Sequence, residues 1–335
     1  MARRTSFWTS ALRSLRAAER LARQLAPKPA RRNTRAGKPA SRLSPQPDAG
    51  LSRRSFMHEG ARIVYWLHVP ERVAGGRMPL ILMLHGCKQT AASFAASTRM
   101  NDVASRLGFA VAYAQQNAEA NRLRCWNWFD RRHQGRTGEA AMLAALALDA
   151  ARKAGADRSR VHVAGLSAGA AMALTVANAY PDIFAAAGAH SGVPEGSAGD
   201  VFAGLRVMKH GPRAAAGAFG KAGPGPFVPA IVIHGSADRT VHPANGEAIW
   251  AAAVAVAEAA GLHANIERGD VQQLGRRNAT RLRLVDEAGA ALAEHWVVQG
   301  LGHAWSGGVR EGAFSDPMGP DASTAIAEFL LGVGR

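Results

Sequence analysis

The sequence predicts an α/β fold with a mostly parallel central sheet and helices on both of its faces. After residue 55, short apolar runs alternate with longer helical patterns, which is typical of a parallel sheet covered by helices. The apolar runs are continuous, as expected for strands that are buried on both faces. Hydrophobic residues make up 47% and charged residues 20% of the 335 residues, so the chain can bury a sizeable core.

Five strands and two crossover helices carry this prediction. The helical segments are rich in Ala and Leu and contain few helix breakers. A terminal hairpin is expected where two apolar runs, 281–285 and 295–298, flank a turn. The Gly-, Ala- and Pro-rich stretch 194–226 is expected to be a surface insertion near the functional site of the domain. The predicted strands are 63–69, 80–84, 109–113, 161–164 and 230–233, and the predicted helices are 139–154 and 168–179.

The formal net charge of +16 is concentrated at the N-terminus. Residues 1–54 hold 14 Lys and Arg against two acids, so +12 lies there and only +4 in the rest of the chain. We therefore predict a basic, largely disordered arm and linker at 1–54 and a catalytic domain at 55–335 that does not bind nucleic acid. The segment from Phe7 to Leu25 suits either a basic amphipathic helix on an anionic surface or a solvated extension.

Membrane, secretion and metal-binding features are weak in the sequence. No apolar run reaches the roughly 18 to 20 residues that cross a bilayer, so we expect a soluble protein. Arginines interrupt the N-terminal stretch before a signal region can form, so we expect no cleavable signal peptide. Cys87 and Cys125 lack the spacing of a metal site, and whether they pair with each other stays open.

The segment Gly165–Gly169 reads Gly-Leu-Ser-Ala-Gly and lies between a predicted strand and a predicted helix. This is the context of a nucleophile elbow, a tight turn that pushes a serine hydroxyl out of the sheet edge. The turn needs small neighbours because the serine adopts a strained conformation. We predict that Ser167 is the nucleophile, and the alternative is a chance turn of small residues in an Ala-rich chain.

A serine nucleophile needs a base, and the base needs an acceptor that fixes its tautomer. Asp238 follows the strand 230–233 at its C-terminal end and is predicted to orient the base, unless it caps a helix that begins near Ala244. His303 lies in a Gly-flanked loop after the last strand and is the predicted base, in the chain order Ser, Asp, His. The competing histidines near strand ends are His85, His190, His234, His242 and His295, the last of which we expect to be fixed within a strand.

Two backbone N–H groups are candidates for the oxyanion hole, those of Cys87 and Ala168. Cys87 can alternatively be a small buried residue or half of a disulfide. Three aromatic residues, Trp126, Trp128 and Trp305, are candidate walls of a substrate site, although most tryptophans are simply packed.

The runs Leu84–Thr90 and Cys125–Phe129, together with the elbow and the Gly-His-Ala-Trp end at 302–305, resemble the poly(3-hydroxybutyrate) depolymerase family of esterases. The resemblance covers about residues 63–331. It implies an α/β-hydrolase fold, a triad of Ser167, Asp238 and His303, an oxyanion donor at Cys87, tryptophans as subsite walls and no cofactor. The implied substrate is a short-chain 3-hydroxyalkanoate polyester or oligoester.

Two other functions stay open at this point. Feruloyl and acetyl esterases that act on polysaccharides look similar, so the motifs do not fix the leaving alcohol. The basic arm is also compatible with a protein that binds polyanions or anionic granule surfaces, with the esterase body secondary. The compartment stays open as well, because the resemblance implies an extracellular location whereas the sequence lacks a recognisable signal peptide. The sequence does not indicate the oligomeric state.

Overall fold

The strands that position the site belong to a single large sheet. A computed structural model of the protein describes residues 50–71, 77–213, 227–272 and 276–333, which fall within one compact unit that spans Pro47–Arg335. The strands are β1 Leu51–His58, β2 Ala61–His68, β3 Leu80–Leu84, β4 Ala110–Gln115, β5 Val161–Leu166, β6 Phe184–His190, β7 Ala230–Gly235, β8 Ala264–Val271, β9 Ala279–Asp286, β10 Ala291–Val298, β11 Trp305–Ser306 and β12 Ser315–Asp316.

Within the described residues, ten of these strands form a sheet in the order β1-β2-β4-β3-β5-β6-β7-β10-β9-β8. The six strands from β4 to β10 run parallel to one another. The two strands at the β1 end and the two at the β8 end pair antiparallel. The short strands β11 and β12 form a separate parallel pair.

Helices cover both faces of the sheet. They are α1 Ala91–Thr98, α2 Met100–Leu107, α3 Gly138–Ala154, α4 Ala168–Ala179, α5 Val201–His210, α6 Ala244–Ala259 and α7 Ala322–Gly332. One core cluster joins α3 and α4 to Leu80, Leu82 and Leu84 of β3. A second cluster joins α1, α2 and α7 to the intervening residues Ile81 and Met83. The alternation along β3 therefore places one core on each face of the sheet, as the period of two in a strand requires.

The predicted α/β architecture is confirmed, and so is the terminal hairpin, which β9 and β10 form. The stretch predicted as an insertion contains α5, and its residues 214–226 lie outside the described residues. The predicted arm and its amphipathic segment lie outside them as well, up to residue 49. The linker prediction is wrong for residues 51–54, because β1 begins at Leu51 and pairs with β2 from that residue onward.

The described residues contain neither a candidate membrane span nor a candidate metal site. None of the helices there is long and apolar enough to cross a membrane. No group of three or more His, Cys, Asp or Glu side chains in the same ranges is arranged to hold a metal ion.

Candidate active site

Ser167 occupies a strained turn between β5 and α4. Its backbone angles are φ 58° and ψ −119°, in a region that residues with a side chain rarely adopt. The two neighbouring glycines make this turn possible. A Cβ on Gly169 would lie 2.0 Å from the carbonyl oxygen of Leu84, and one on Gly165 would lie 2.5 Å from the backbone of Gly169. The local geometry is therefore that of a nucleophile elbow.

His303 and Asp238 form a hydrogen-bonded pair. His303 Nδ1 lies 2.7 Å from Asp238 Oδ2, and Asp238 is buried. The other carboxylate oxygen, Oδ1, accepts the backbone N–H groups of Thr240 and Val241, each at 2.9 Å. The alternative role of Asp238 as a helix cap does not apply, because α6 begins at a cap residue further along the chain, Pro243.

The environment of Asp238 keeps its carboxyl group ionised. Burial by itself raises the pKa of Asp238, but the hydrogen bond from His303 and the electrostatic interaction with that ring outweigh it. The electrostatic interaction with His234 and the hydrogen bond from the N–H of Val241 act in the same direction, so the pKa of Asp238 lies below its ordinary value. An ionised Asp238 can hold the imidazole in the tautomer that leaves Nε2 free to accept a proton.

The segments that carry Asp238 and His303 are bonded directly to each other. They follow β7 and β10, which are neighbours in the sheet. The N–H of Ala237 donates to the carbonyl oxygen of Leu301 at 3.0 Å. A Cβ on Gly235 would lie 2.2 Å from that same oxygen, so only glycine permits this approach. The two segments are therefore fixed relative to one another by backbone contacts.

The turn that carries Cys87 lies against the elbow, since a Cβ on Gly86 would be 3.5 Å from the Cβ of Ser167. His85 Nε2 accepts the N–H of Gln116 at 3.1 Å, so Nδ1 carries the proton and donates to the carbonyl oxygen of Gly86 at 2.8 Å. Burial lowers the pKa of His85 to about 4, so the ring is neutral at pH 7. His85 thus stabilises this turn, because both of its ring nitrogens are engaged in hydrogen bonds and neither is left to exchange a proton with a substrate.

The structure joins Cys87 to Cys125 in a disulfide bond. The sequence left this pairing open. The bond is compatible with a backbone N–H of Cys87 that acts as an oxyanion donor, and that role stays a prediction. The bond ties the turn beside Ser167 to the segment that carries Trp126 and Trp128. Trp126 strengthens the same link by donating its indole N–H to the carbonyl oxygen of His85 at 3.1 Å.

A small pocket opens at the elbow. Ser167 borders it together with Cys87 and Ala168, the two residues whose N–H groups we predicted as oxyanion donors. The remaining lining side chains are apolar, namely Trp128, Val193, Met208 and Val241. The sequence does not indicate the last three as pocket residues, because single apolar residues in loops and on the helix α5 carry no signal that separates a pocket wall from the core.

The three predicted substrate tryptophans fall into two groups. Trp128 lines the pocket. Trp126 and Trp305 are fully buried, and the indole N–H of Trp305 donates to Ser323 Oγ at 3.0 Å. Neither ring presents a surface to a substrate, so the prediction is wrong for these two residues. Their physical role is to fill the core next to the site.

The competing histidines His234, His242 and His295 make other contacts. His234 also lies near Asp238, with its Nε2 3.7 Å from Oδ2. This ring nitrogen donates its hydrogen bond to the carbonyl oxygen of Val241 at 2.9 Å and not to the carboxylate. His295 is buried within β10, as expected from the sequence. His242 is exposed, and its Nδ1 accepts the N–H at the start of α6.

Comparison with known proteins assigns the chain to a family. The family model described as Esterase PHB depolymerase matches residues 63–274, which is more than half of the chain. The chain belongs to this family. Its relatives include the poly(3-hydroxyalkanoate) depolymerase C of Paucimonas lemoignei, 37% identical over 53% of this chain and 44% of the relative. Feruloyl esterase B of Neurospora crassa is 34% identical over 38% of this chain and 43% of the relative.

The match therefore spans less than half the length of these two esterase relatives. Among solved structures, the acetyl xylan esterase from Aspergillus awamori superposes with a TM-score of 0.62 at 20% identity, over 76% of this chain and 94% of that chain. Similarity at this level shows the fold, and it confirms the predicted α/β-hydrolase fold for this member of the Esterase PHB depolymerase family.

Proposed function

We propose that the protein is a serine carboxylic ester hydrolase that cleaves poly- or oligo(3-hydroxyalkanoate) esters through an acyl-enzyme intermediate. The observation that carries this proposal is the pocket at the elbow. Ser167, Cys87 and Ala168 border the same small apolar space. The hydrogen-bonded pair of His303 and Asp238 supplies the base and the group that orients it.

In the proposed reaction, His303 accepts the proton of Ser167 as the hydroxyl oxygen attacks the ester carbonyl. The N–H groups of Cys87 and Ala168 stabilise the negative charge that develops on the carbonyl oxygen, at about 3 kcal/mol or more per donor. The protonated imidazole then gives its proton to the leaving alcohol. Water activated by the same ring attacks the acyl-enzyme and releases the acid, while Asp238 stays ionised.

Ser167→Ala tests the nucleophile. The variant is expected to lose hydrolysis of a short p-nitrophenyl ester almost completely and to keep the fold, because alanine fits wherever serine does. Turnover at 25 °C and the far-UV circular dichroism spectrum provide the two readouts. The matched control is Ser159→Ala, an exposed serine whose hydroxyl bonds to Asp157, which should retain full activity. Retained turnover in Ser167→Ala rules the mechanism out.

A second candidate is an esterase that removes feruloyl or acetyl groups from polysaccharides. The relatives described as feruloyl esterase B and acetylxylan esterase A favour it. A panel of 3-hydroxybutyrate oligomers, feruloyl esters and acetylated xylan, each measured as kcat/KM on the same protein sample, separates the two. Preference for the oligomers supports the first proposal, and preference for feruloyl or acetyl groups supports the second.

The excess of +12 on residues 1–54 favours a role of that segment in attachment to an anionic surface. Deletion of residues 1–49, which leaves β1 intact, should then abolish salt-sensitive binding to anionic granules and leave the hydrolysis of a soluble ester unchanged. Unchanged granule binding in the deletion variant contradicts this role.

A further inference from the structure

His190 contacts both the nucleophile segment and the base segment. It is the last residue of β6 and is fully buried. Its carbonyl oxygen accepts the backbone N–H of Ser167 at 2.9 Å. Its ring atom Nε2 accepts the backbone N–H of Ser306 at 3.1 Å, three residues after His303. One side chain and its own backbone therefore connect two segments that are far apart in sequence.

Several contacts hold the His190 ring in this orientation. Because Nε2 accepts a hydrogen bond, the proton of the neutral ring sits on Nδ1, which lies 3.2 Å from Ser191 Oγ. The ring also stacks on Trp305, with centroids 5.0 Å apart and an interplanar angle of 24°. Burial, with smaller electrostatic contributions from His234 and His303, lowers the pKa of His190 to about 3, so Nε2 remains an acceptor near neutral pH.

The segment that carries His303 is thereby anchored on both sides of the base. On one side, the carbonyl oxygen of Leu301 accepts the N–H of Ala237, next to Asp238. On the other side, the N–H of Ser306 donates to the His190 ring. The first anchor joins the base to its orienting carboxylate. The second joins the base to the strand end that also holds Ser167.

We propose that His190 is a positioning residue that keeps His303 aligned with Ser167 by accepting the backbone N–H of Ser306. This inference rests on the proposed function. The alignment matters because a displacement of about 1 Å in a reacting group can cost about 10²-fold in rate. Loss of the acceptor would also leave the buried Ser306 N–H without a partner, which favours a shift of the segment.

The test compares two variants of nearly equal size and shape, His190→Gln and His190→Met. Glutamine places a polar atom near the position of Nε2 and can accept the Ser306 N–H, whereas methionine cannot accept it effectively. We expect the Met variant to lose about 10²-fold in kcat on a p-nitrophenyl ester with little change in KM, and the Gln variant to recover at least about tenfold of that loss.

The matched control is His295→Met. His295 is also buried and stacks on a tryptophan, Trp250, with centroids 6.3 Å apart. It hydrogen bonds neither His303 nor the elbow in the part of the chain that the structure describes, so this variant should retain the wild-type kcat. Equal kcat in the Gln and Met variants of His190 overturns the proposal, and so does a folded Met variant with full kcat.

A measurement on the wild-type protein keeps the proposal testable if the variants do not fold. Long-range ¹H–¹⁵N correlation spectra of the ¹⁵N-labelled protein report which nitrogen of each imidazole carries the proton. We expect the Nδ1–H tautomer for His190, and a protonated Nε2 overturns the proposal. A wild-type protein that hydrolyses no ester contradicts the proposed function instead, and the tautomer measurement still decides the contact between His190 and Ser306.

Discussion

At the residue scale, hydrogen bonds hold the carboxylate of Asp238 in one orientation. Three donors converge on it, two backbone N–H groups on Oδ1 and the His303 ring on Oδ2. The sequence predicted this residue from its place after a buried strand, and the structure adds the reason why it is ionised despite burial. The backbone donors could not be predicted, because they depend on the conformation of the turn after Asp238.

Asp238→Asn is expected to lower kcat by about 10⁴-fold with a smaller effect on KM. The amide keeps the shape of the carboxyl group, but its NH₂ can face Nδ1 and favour the wrong tautomer of His303. Steady-state kinetics on a p-nitrophenyl ester measures the loss. The partly exposed Asp157 lies outside the site, so Asp157→Asn serves as the control. A loss of less than about tenfold in Asp238→Asn would contradict the role of Asp238.

The two tryptophans of one short segment should respond differently to the same change. Trp128→Phe widens the pocket beside Ser167. It should raise the ratio of kcat/KM for butyryl over acetyl esters by about tenfold, the low end of the range of about 10- to 200-fold that one methylene can supply. Trp126→Phe loses the bond to the His85 carbonyl oxygen and should cost about 1 kcal/mol of unfolding free energy, with the acyl preference unchanged. A shift of preference in the Trp126 variant would contradict this division of roles.

At the element scale, the strands that the sequence predicts best are those with large aliphatic residues. The bounds of β3 and α4 agree with the prediction residue by residue. The strand β6 was missed because it reads Phe-Ala-Ala-Ala-Gly-Ala-His, without a β-branched residue. Its small side chains have a physical cause, since a Cβ on Gly188 would lie 2.9 Å from the side chain of Ile326 on α7. Such packing depends on neighbours that a sequence window does not contain.

The disulfide between Cys87 and Cys125 closes a segment with a sequence separation of 38. The double variant Cys87→Ala, Cys125→Ala is expected to lose about 2 to 4 kcal/mol of unfolding free energy, measured in urea. Without the bond, the unfolded chain gains conformational entropy. It should also lose up to about 10²-fold in kcat, since the N–H at position 87 remains but is held less firmly. Wild-type values of both quantities would show that the bond is dispensable.

At the scale of the whole molecule, buried neutral histidines make the stability of the protein depend on pH. Burial lowers the pKa of His85 and of His295 to about 4 each. In the unfolded chain these rings have an ordinary pKa of about 6.5. Between pH 6.5 and 4 the unfolded state therefore binds more protons than the native state, so stability falls as the pH falls.

His295→Met tests this dependence without touching the site. The wild-type unfolding free energy should decrease from pH 7 to pH 5, and His295 should account for about 1 to 2 kcal/mol of the decrease. The variant should therefore show a shallower dependence, measured by urea denaturation at both pH values. Identical slopes in the two proteins would show that His295 is not the source.

The first strand has a protective consequence for the whole sheet. In β2, the buried residues Ile63, Tyr65 and Leu67 alternate with less buried ones, and β4 already pairs one of its edges. The other edge is occupied by β1, whose own side chains are mostly polar and include exposed Arg53 and Arg54. Arginines at a sheet margin discourage further strands from adding to it. The strand β1 therefore pairs the backbone N–H and C=O groups on this edge of β2, and its arginines oppose aggregation with neighbouring molecules.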